Sequence, residues 1–425
     1  MAVRRKLLFG TAAVVAGAGA LIALVLVYRP AIAPIAPPDP KSFALAEVEK
    51  GAALAAVGDC AVCHTADGGR PYAGGRALAT PFGTLYATNV TPDAKTGIGS
   101  WSEEAFRRAM REGVAQDGSH LYPALPYEHF THVSDEDLDA IYAFLMTRPP
   151  VEAAAPPNKL IPPLGFRPLL AGWKLLFLHE APFRPAEGQN AEWNRGAYLV
   201  EGLGHCGGCH TPRNLAGGEE TGHAFAGGVA EGWVAPALDG SNPAVKAWAA
   251  DALYTYLRAG LDPQHSAAAG PMGPVTHDLS QVPDADVHAI ATYIASQMGR
   301  RPGAAPVDQP DRALKAHPVG ATLFAGACSS CHGTGAPMLQ QGRPDLSLVS
   351  VLQEDDPADT IRIILQGMKP PVGDKGPTMP PFADNLTTHQ VAEIAAYLRS
   401  RFSLRPAWPL LEPAVADARK EGGAE

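Results

Sequence analysis

The chain has 425 residues, enough for several domains, and a hydrophobic share of 46% that is compatible with globular cores and argues against a disordered protein. The formal net charge of −9, with no basic block, argues against nucleic acid as a partner. Acidic charge alone identifies no other partner.

The amino terminus carries basic residues followed by an apolar run. Arg4, Arg5 and Lys6 precede residues 7–27, which would span about 32 Å as a helix, close to the hydrocarbon thickness of a bilayer. Basic residues favour the cytoplasmic side, so the rest of the chain is expected outside the cytoplasm. The run predicts an uncleaved anchor, with a cleaved signal peptide as the alternative. Residues 30–40 then form a proline-rich spacer.

Six cysteines fall into three copies of the pattern Cys-x-x-Cys-His, at residues 60–64, 206–210 and 328–332. Two thiols on one helical turn can each add to a vinyl group of a haem, and the following histidine reaches the iron. Disulfides would not require the histidine, a zinc site would need a fourth ligand, and no thioredoxin-like strand and helix surround the motifs. The pattern therefore predicts three covalently bound haem c groups. Their attachment residues and iron ligands are Cys60, Cys63, His64, Cys206, Cys209, His210, Cys328, Cys331 and His332.

The three motifs lie in a longer repeat. A glycine precedes each motif by eight to ten residues, at Gly51, Gly196 and Gly320, and predicts the close approach of another helix. Each repeat closes with an amphipathic helix, and Ser134 and Thr387 are expected to cap two of them. The apolar spacing predicts these helices over residues 136–147, 284–298 and 388–402.

A further helix in each repeat ends at a glycine, and the loop after it carries a candidate iron ligand. The glycines are Gly113, Gly260 and Gly367. Twelve residues beyond them, in proline-bearing loops, lie Leu125, Met272 and Met379. A loop methionine suits the second face of a c-type haem because its neutral thioether favours reduced iron. Met272 and Met379 are therefore the predicted sixth ligands.

The first repeat departs from this rule, because Leu125 cannot ligate iron. Either the first haem is five-coordinate or another side chain replaces the methionine. The candidates are His120, His129, His132 and Met110. Each also has a structural interpretation: the histidines lie in a polar loop and are expected to be solvated, and Met110 lies on a helical core face.

The repeat predicts an all-α protein with three tandem c-type cytochrome domains after an N-terminal transmembrane or signal helix. The predicted segments are 1–30 (signal anchor or signal peptide), 31–42 (spacer), 43–150 (domain 1), 151–186 (linker), 187–300 (domain 2), 315–403 (domain 3) and 404–425 (disordered tail). Leucine and aromatic residues in 163–183 predict either an exposed patch for a partner or membrane, or packing between the first two domains.

The chain resembles the triheme cytochrome c subunit of membrane-bound periplasmic dehydrogenases of the alcohol, gluconate, sorbitol and fructose type. The resemblance covers residues 47–402. It rests on residues 97–101 (GIGSW), 106–114 (FRRAMREGV), 117–124 (DGSHLYPA) and 193–206 (WNRGAYLVEGLGHC).

The resemblance implies a relay with no catalytic residue in this chain. A separate quinoprotein, flavoprotein or molybdoprotein subunit would oxidise a substrate, and this chain would pass the electrons to ubiquinone at the periplasmic side of the bacterial inner membrane. The family usually has methionine where this chain has Leu125. The alternatives are a relay for a molybdenum hydroxylase or an oxidase, and a haem enzyme that uses an open first haem.

Overall fold

A computed structural model describes residues 27–299, 303–368 and 379–422. The chain divides into two compact units, Met1–Ala55 with Cys60–Arg184, and Ala56–Asp59 with Pro185–Glu425. The N-terminal run predicted as an anchor or signal lies, up to residue 26, outside the described residues. Within the described ranges, no helix is both long and apolar enough to cross a membrane.

The first unit combines helices with a small antiparallel sheet. Its α-helices, within the described residues, are α1 (Leu45–Val57), α2 (Cys60–Cys63), α3 (Glu103–Glu112), α4 (Tyr127–Phe130), α5 (Asp135–Met146) and α6 (Leu169–Phe177). Its strands are β1 (Ala77–Thr80), β2 (Gly83–Tyr86) and β3 (Lys159–Leu160), in the order β1-β2-β3. Thr80 pairs with Gly83 across the first turn, and Gly83 pairs with Leu160.

The second unit holds the second and third repeats. Its α-helices, where the chain is described, are α7 (Ala191–Tyr198), α8 (Gly207–His210), α9 (Ala250–Ala259), α10 (Met272–Leu279), α11 (Asp284–Met298), α12 (Pro310–Ala316), α13 (Pro318–Ala327), α14 (Ser329–His332), α15 (Pro337–Gln340), α16 (Ala358–Gln366), α17 (Thr388–Phe402) and α18 (Leu411–Gly422). A π-helical turn, Leu199–Leu203, follows α7. The strands β4 (Gly228–Ala230) and β5 (Trp233–Ala235) form an antiparallel hairpin.

In each repeat the helix before the haem motif crosses the closing helix at the predicted glycine. A Cβ atom on Gly51 of α1 would lie 1.8 Å from the backbone oxygen of Ala140 in α5. The corresponding distance is 2.0 Å at Gly196, which faces α11, and 2.2 Å at Gly320, which faces α17. Because real Cβ atoms cannot approach an oxygen so closely, only glycine allows these backbones to touch. The predicted close approach is confirmed in all three repeats.

The predicted helix ends are also confirmed. Ser134 caps α5 by accepting a backbone N–H, and Thr387 and Gln390 form a reciprocal capping box at the start of α17. The closing helices begin and end within one residue of their predicted bounds. The glycines that end α3, α9 and α16 all have positive φ, as helix-terminating glycines commonly do: Gly113 (59°), Gly260 (75°) and Gly367 (71°).

The all-α prediction is corrected by the two small sheets. The hairpin β4–β5 turns at Glu231 and Gly232, whose φ angles of 50° and 78° belong to the two-residue turns that match strand twist. Its strands are three residues long and carry no clear alternation of polar and apolar residues. Strands this short are recognised mainly by their pairing, which a helix-based repeat does not indicate.

The prediction of a disordered tail is wrong for residues 404–422. The helix α18 packs on the third repeat, where Val415 is fully buried and Ala418 and Trp408 are nearly so. The Arg419 guanidinium donates a hydrogen bond of 2.6 Å to the carbonyl oxygen of Ala383. The composition of this tail is acidic and rich in alanine, so it did not indicate that α18 has an apolar side. The third repeat covers that side.

Replacing Trp408 with alanine should lower the free energy of unfolding by about 3–5 kcal/mol. The ring is 6% exposed, its indole N–H donates to the carbonyl oxygen of Glu354 over 3.0 Å, and the Arg399 guanidinium lies 4.5 Å from the ring centroid. Thermal unfolding followed by circular dichroism measures the change. Leu410→Ala is the control, since Leu410 is 76% exposed in the same segment. Equal melting temperatures for the two variants would contradict the packed tail.

Candidate haem-binding sites

The three motifs adopt the same helical turn, in α2, α8 and α14. The backbone N–H of the histidine donates to the carbonyl oxygen of the first cysteine in every copy, over 3.0 Å at His64, 3.0 Å at His210 and 2.9 Å at His332. All six cysteines are half-buried. Each motif therefore brings two thiols and one imidazole together on a single turn, which is the set of groups that holds a haem c.

The imidazoles of the first two motifs are oriented by backbone carbonyl groups. His64 Nδ1 lies 2.6 Å from the oxygen of Thr88, and His210 Nδ1 lies 2.7 Å from the oxygen of Pro236. A carbonyl oxygen can only accept, so Nδ1 carries the proton and donates it, and Nε2 is left with a lone pair for iron. Burial lowers the pKa of both histidines, which favours the neutral ring that a metal requires.

The hairpins missed by the sequence prediction supply these carbonyl groups. Thr88 follows β2, and Pro236 follows β5 directly. The second hairpin is joined to its motif by a further hydrogen bond of 2.9 Å, which Gly227 donates to the carbonyl oxygen of His210. Gly232, between two short apolar segments, is a turn signal that could have indicated this hairpin. The sheets therefore have a functional role in fixing the iron-binding histidine.

The third motif is built differently. In the described part of the third repeat no hairpin follows the motif, and no hydrogen bond orients the His332 ring. Burial lowers the pKa of His332, opposed by the nearby charge of Asp345. The third motif thus has the same helical turn as the other two, but in the described residues its histidine ring lacks their hydrogen bond to a backbone carbonyl.

The electrostatics of the thiols agree with haem attachment. Burial raises the pKa of Cys206 to about 12 and that of Cys328 to about 11. Reactive and metal-binding cysteines need the opposite shift, because the thiolate is the active form. A thioether bond to haem leaves an uncharged sulfur, which such buried surroundings accommodate. The surroundings of Cys206 and Cys328 therefore suit the uncharged sulfur of a haem c thioether.

The loops after α3 and α9 begin in the same way. Leu121 donates its backbone N–H to the oxygen of Gly113 over 2.8 Å, and Ala268 donates to the oxygen of Gly260 over 2.7 Å. In both repeats the donor is the eighth residue after the glycine. The first and second loops are therefore in the same register.

This register places Leu125 at the backbone position of Met272. Leu125 N–H donates to the oxygen of Tyr122 over 3.1 Å, and Met272 N–H donates to the oxygen of Ala269 over 3.2 Å. Both residues thus close the same type of turn, and both are half-buried. The comparison supports the equivalence deduced from spacing, and ligation of iron by Met272 stays a prediction.

The third loop reaches its methionine by another geometry. Met368, the residue after Gly367, donates its N–H to the carbonyl oxygen of Met379 over 2.9 Å. Met379 is half-buried and packs against the core of the third repeat. Met379 therefore has the same spacing from its glycine as Met272 but a different backbone pairing. Ligation by Met379 also stays a prediction.

His120, a candidate replacement ligand, has both ring nitrogens occupied. Its Nε2 lies 2.9 Å from the oxygen of Val27, and its Nδ1 lies 2.9 Å from Lys174 Nζ. The side chain is buried, so the expectation that it is solvated is wrong. Met110 lies in the core side of α3 at 7% exposure, as its structural interpretation predicted. His120 therefore has no ring nitrogen left for iron, and ligation by Met110 stays untested.

The two other histidine candidates lie further along the same loop. His129 is half-buried in α4. His132 Nδ1 lies 2.7 Å from the oxygen of Ala181 and donates to it, which leaves Nε2 as the ring nitrogen that could bind iron.

The linker helix α6 bears out the first of the two alternatives, an exposed patch, while packing between the first two domains stays a prediction. Leu169, Leu175 and Leu176 are exposed by 47%, 66% and 67%, which confirms an exposed leucine patch. On the inner side, Ala171 and Lys174 are buried. The buried Lys174 is a residue that the sequence pattern did not indicate, because a lysine in a helix normally lies in solvent.

Known protein families match all three repeats. The family described as cytochrome c matches residues 48–149 and 194–297. A different family, cytochrome c oxidase, cbb3-type, subunit III, matches residues 316–398. The change of family falls at the third repeat, where the described residues show no hairpin after the motif.

Relatives match nearly the whole chain. The gluconate 2-dehydrogenase cytochrome c subunit of Pantoea cypripedii is 37% identical over 88% of this chain and 90% of its own length. The fructose dehydrogenase cytochrome subunit of Gluconobacter japonicus is 34% identical over 86% of this chain and 81% of its own length. The chain belongs to the cytochrome c subunits of dehydrogenases. This cytochrome c subunit is thus an electron-transfer subunit and not a catalytic subunit.

A longer relative is also similar to this cytochrome c subunit. A nicotinate dehydrogenase subunit of Pseudomonas putida is 46% identical over 99% of this chain, which covers 36% of that relative. The chain therefore spans about a third of the length of that protein.

Proposed function

We propose that this cytochrome c subunit binds three haem c groups and carries electrons from a separate dehydrogenase subunit to ubiquinone at the periplasmic side of the bacterial inner membrane. The observation that carries the proposal is the common helical turn of the three motifs, with a cysteine pair and a histidine in each. Each bound haem supplies a reversible one-electron iron couple. The protein supplies attachment, orientation and a site that limits water.

Each group of site residues has its own role in the proposed relay. The cysteine pairs would hold each haem through thioether bonds, and the motif histidines would bind its iron. Met272 and Met379 would be the further iron ligands in the second and third repeats, where their thioethers would favour reduced iron. Leu125 leaves the first haem without this ligand. The first haem is therefore expected to differ from the other two in potential and spectrum.

Haem content tests the attachment sites. The purified full chain should contain three haem c groups by the pyridine haemochrome assay, and Cys206→Ala with Cys209→Ala should contain two, because both thioether bonds of the second site are removed. Leu215→Ala is the control, since that side chain is fully exposed at 101%. A wild-type content below three, or an unchanged content in the double variant, would contradict the proposed sites.

Electron transfer tests the relay. The chain should be reduced only when a dehydrogenase partner and its substrate are both present, and a ubiquinone analogue should reoxidise it. Oxidation of an alcohol or sugar by the isolated chain would show that it is not a passive relay.

A second candidate concerns the donor. The identity of 46% with the nicotinate dehydrogenase subunit over almost the whole chain favours a nicotinate dehydrogenase as the donor. The gluconate, fructose and alcohol relatives favour a sugar or alcohol dehydrogenase. Copurification from native membranes, followed by assays with nicotinate, gluconate and ethanol, distinguishes the two donors.

A further inference from the structure

Lys174 is a buried lysine whose three ammonium protons all have acceptors. Its side chain is 8% exposed, and Nζ donates to the carbonyl oxygens of Glu112 and Gly113, each over 2.6 Å, and to His120 Nδ1 over 2.9 Å. The two carbonyl groups lie at the end of α3, where unpaired oxygens and the helix dipole attract a cation. The first repeat therefore provides a specific set of acceptors for the buried ammonium of Lys174.

The contacts of Lys174 surround the loop that bears Leu125. Gly113 begins this loop and His120 lies in its middle. Tyr127, two residues after Leu125, has its ring centroid 5.3 Å from Nζ. The same ring packs on Gly113, where a Cβ atom would lie only 2.4 Å away. One side chain thus holds the residues before and after the position where the other repeats have methionine.

The tautomer of His120 is set by the same contacts. Its Nε2 donates to the oxygen of Val27, so Nδ1 is the acceptor for Lys174 and the ring is neutral. Burial lowers the pKa of His120, and the Lys174 charge lowers it further. The ammonium is therefore the charge at the centre of this network.

Other charged groups around Lys174 partly balance one another. Burial and the charge of Arg29 lower the pKa of Lys174, to about 8, against the opposing charges of Glu112 and Glu180. Burial also raises the pKa of Glu180. At neutral pH Lys174 is thus protonated. Removal of its positive charge would leave less positive charge to balance the carboxylates of Glu112 and Glu180.

The second repeat has no counterpart of this lysine. There the oxygen of Gly260 accepts from Ala268, and among the described residues no lysine bonds to the end of α9. The second repeat carries Met272 in the equivalent turn. The buried lysine therefore belongs to the repeat that lacks the methionine.

We propose that Lys174 is a positioning residue for the first haem: its ammonium holds the loop that carries Leu125 over the second side of the iron and raises the reduction potential of that haem. The inference rests on the proposed haem at Cys60 and Cys63. A buried positive charge disfavours ferric iron, which carries one more positive charge than ferrous iron. The linker helix α6 thereby takes part in tuning the first haem.

Lys174→Met tests the charge, because methionine retains an unbranched side chain without it. In a spectroelectrochemical titration of the full chain, one of three midpoint potentials should fall. The ferric-to-ferrous ratio of that haem at fixed potential should rise several-fold, up to about tenfold, which equals about 59 mV. The other two haems should be unchanged. Lys95→Met is the matched control, as Lys95 is an exposed lysine of the first repeat.

Lys174→Gln separates charge from positioning and serves if the methionine variant fails to fold. Its amide can still donate to the loop, so it should retain the wild-type spectrum of the first haem while lowering its potential. Three unchanged potentials in both folded, fully loaded variants would overturn the proposal. A wild-type chain with fewer than three haems would instead overturn the proposed function, so the two failures are distinguishable.

Discussion

In Leu125→Met, the methionine-to-iron charge-transfer band should correspond to three haems instead of two. Leu125 and Met272 close the same turn at the same distance from a helix-ending glycine, so a methionine at 125 would place its thioether where Met272 is predicted to bind iron. The potential of the first haem should rise, because a thioether favours reduced iron. Absorption in the near infrared and a redox titration measure the two effects.

Carbon monoxide binding gives an independent measure of the same site. If the first haem of the wild-type chain is open, carbon monoxide should bind to one of three haems, and Leu125→Met should abolish that binding. Leu121→Met is the control, because Leu121 is a half-buried leucine four residues earlier in the same loop. A wild-type band that already corresponds to three haems would show that another side chain replaces the methionine. If carbon monoxide does not bind and all three haems are low-spin, the chain is not an enzyme that uses an open first haem.

Two glycine-to-alanine substitutions in helix α13 should have opposite effects on stability. At Gly320 a Cβ atom would lie 2.2 Å from the backbone oxygen of Glu393, so alanine must push α13 away from α17. Overpacking of this kind costs about 3 kcal/mol. At Gly326 a Cβ atom meets nothing within 4 Å, and alanine should stabilise the helix by up to about 1 kcal/mol.

Thermal denaturation of the two haem-loaded variants measures this difference. The Gly320→Ala variant should melt about 10 °C or more below the wild type if the third repeat unfolds as one unit, and Gly326→Ala should melt at or above it. Gly326 serves as the matched control, since both glycines lie in one helix. Similar destabilisation by both would indicate that helix propensity, and not the helix crossing, determines the effect.

Local patterns in the sequence were sufficient where the physical cause is local. The cysteine pair and histidine of each motif occupy one helical turn, and a glycine that ends a helix adopts positive φ at that one residue. A glycine at a helix crossing marks the close approach by its own missing Cβ, although the helix it meets lies far along the chain. The Thr387 cap and the glycines Gly51, Gly196 and Gly320 were therefore predicted correctly. The equivalence of Leu125 and Met272 followed from counting, because the two loops have equal length and register.

Features that depend on pairing between distant segments were not predictable in this way. The ring of His64 is oriented by Thr88, 24 residues away, through a hairpin whose short strands have no strong pattern of their own. The tail helix α18 is stable because the third repeat covers its apolar side.

The sequence by itself determined the haem attachment motifs, the glycines at the helix crossings and the anomaly at Leu125, since these depend on residue identity and on spacing within each repeat. Only the tertiary structure decided how His64 and His210 are oriented, that His120 is buried, and that Lys174 lies at the loop of the first haem. These features arise from contacts between distant segments, whose partners are chosen by packing and by the need to satisfy buried polar groups.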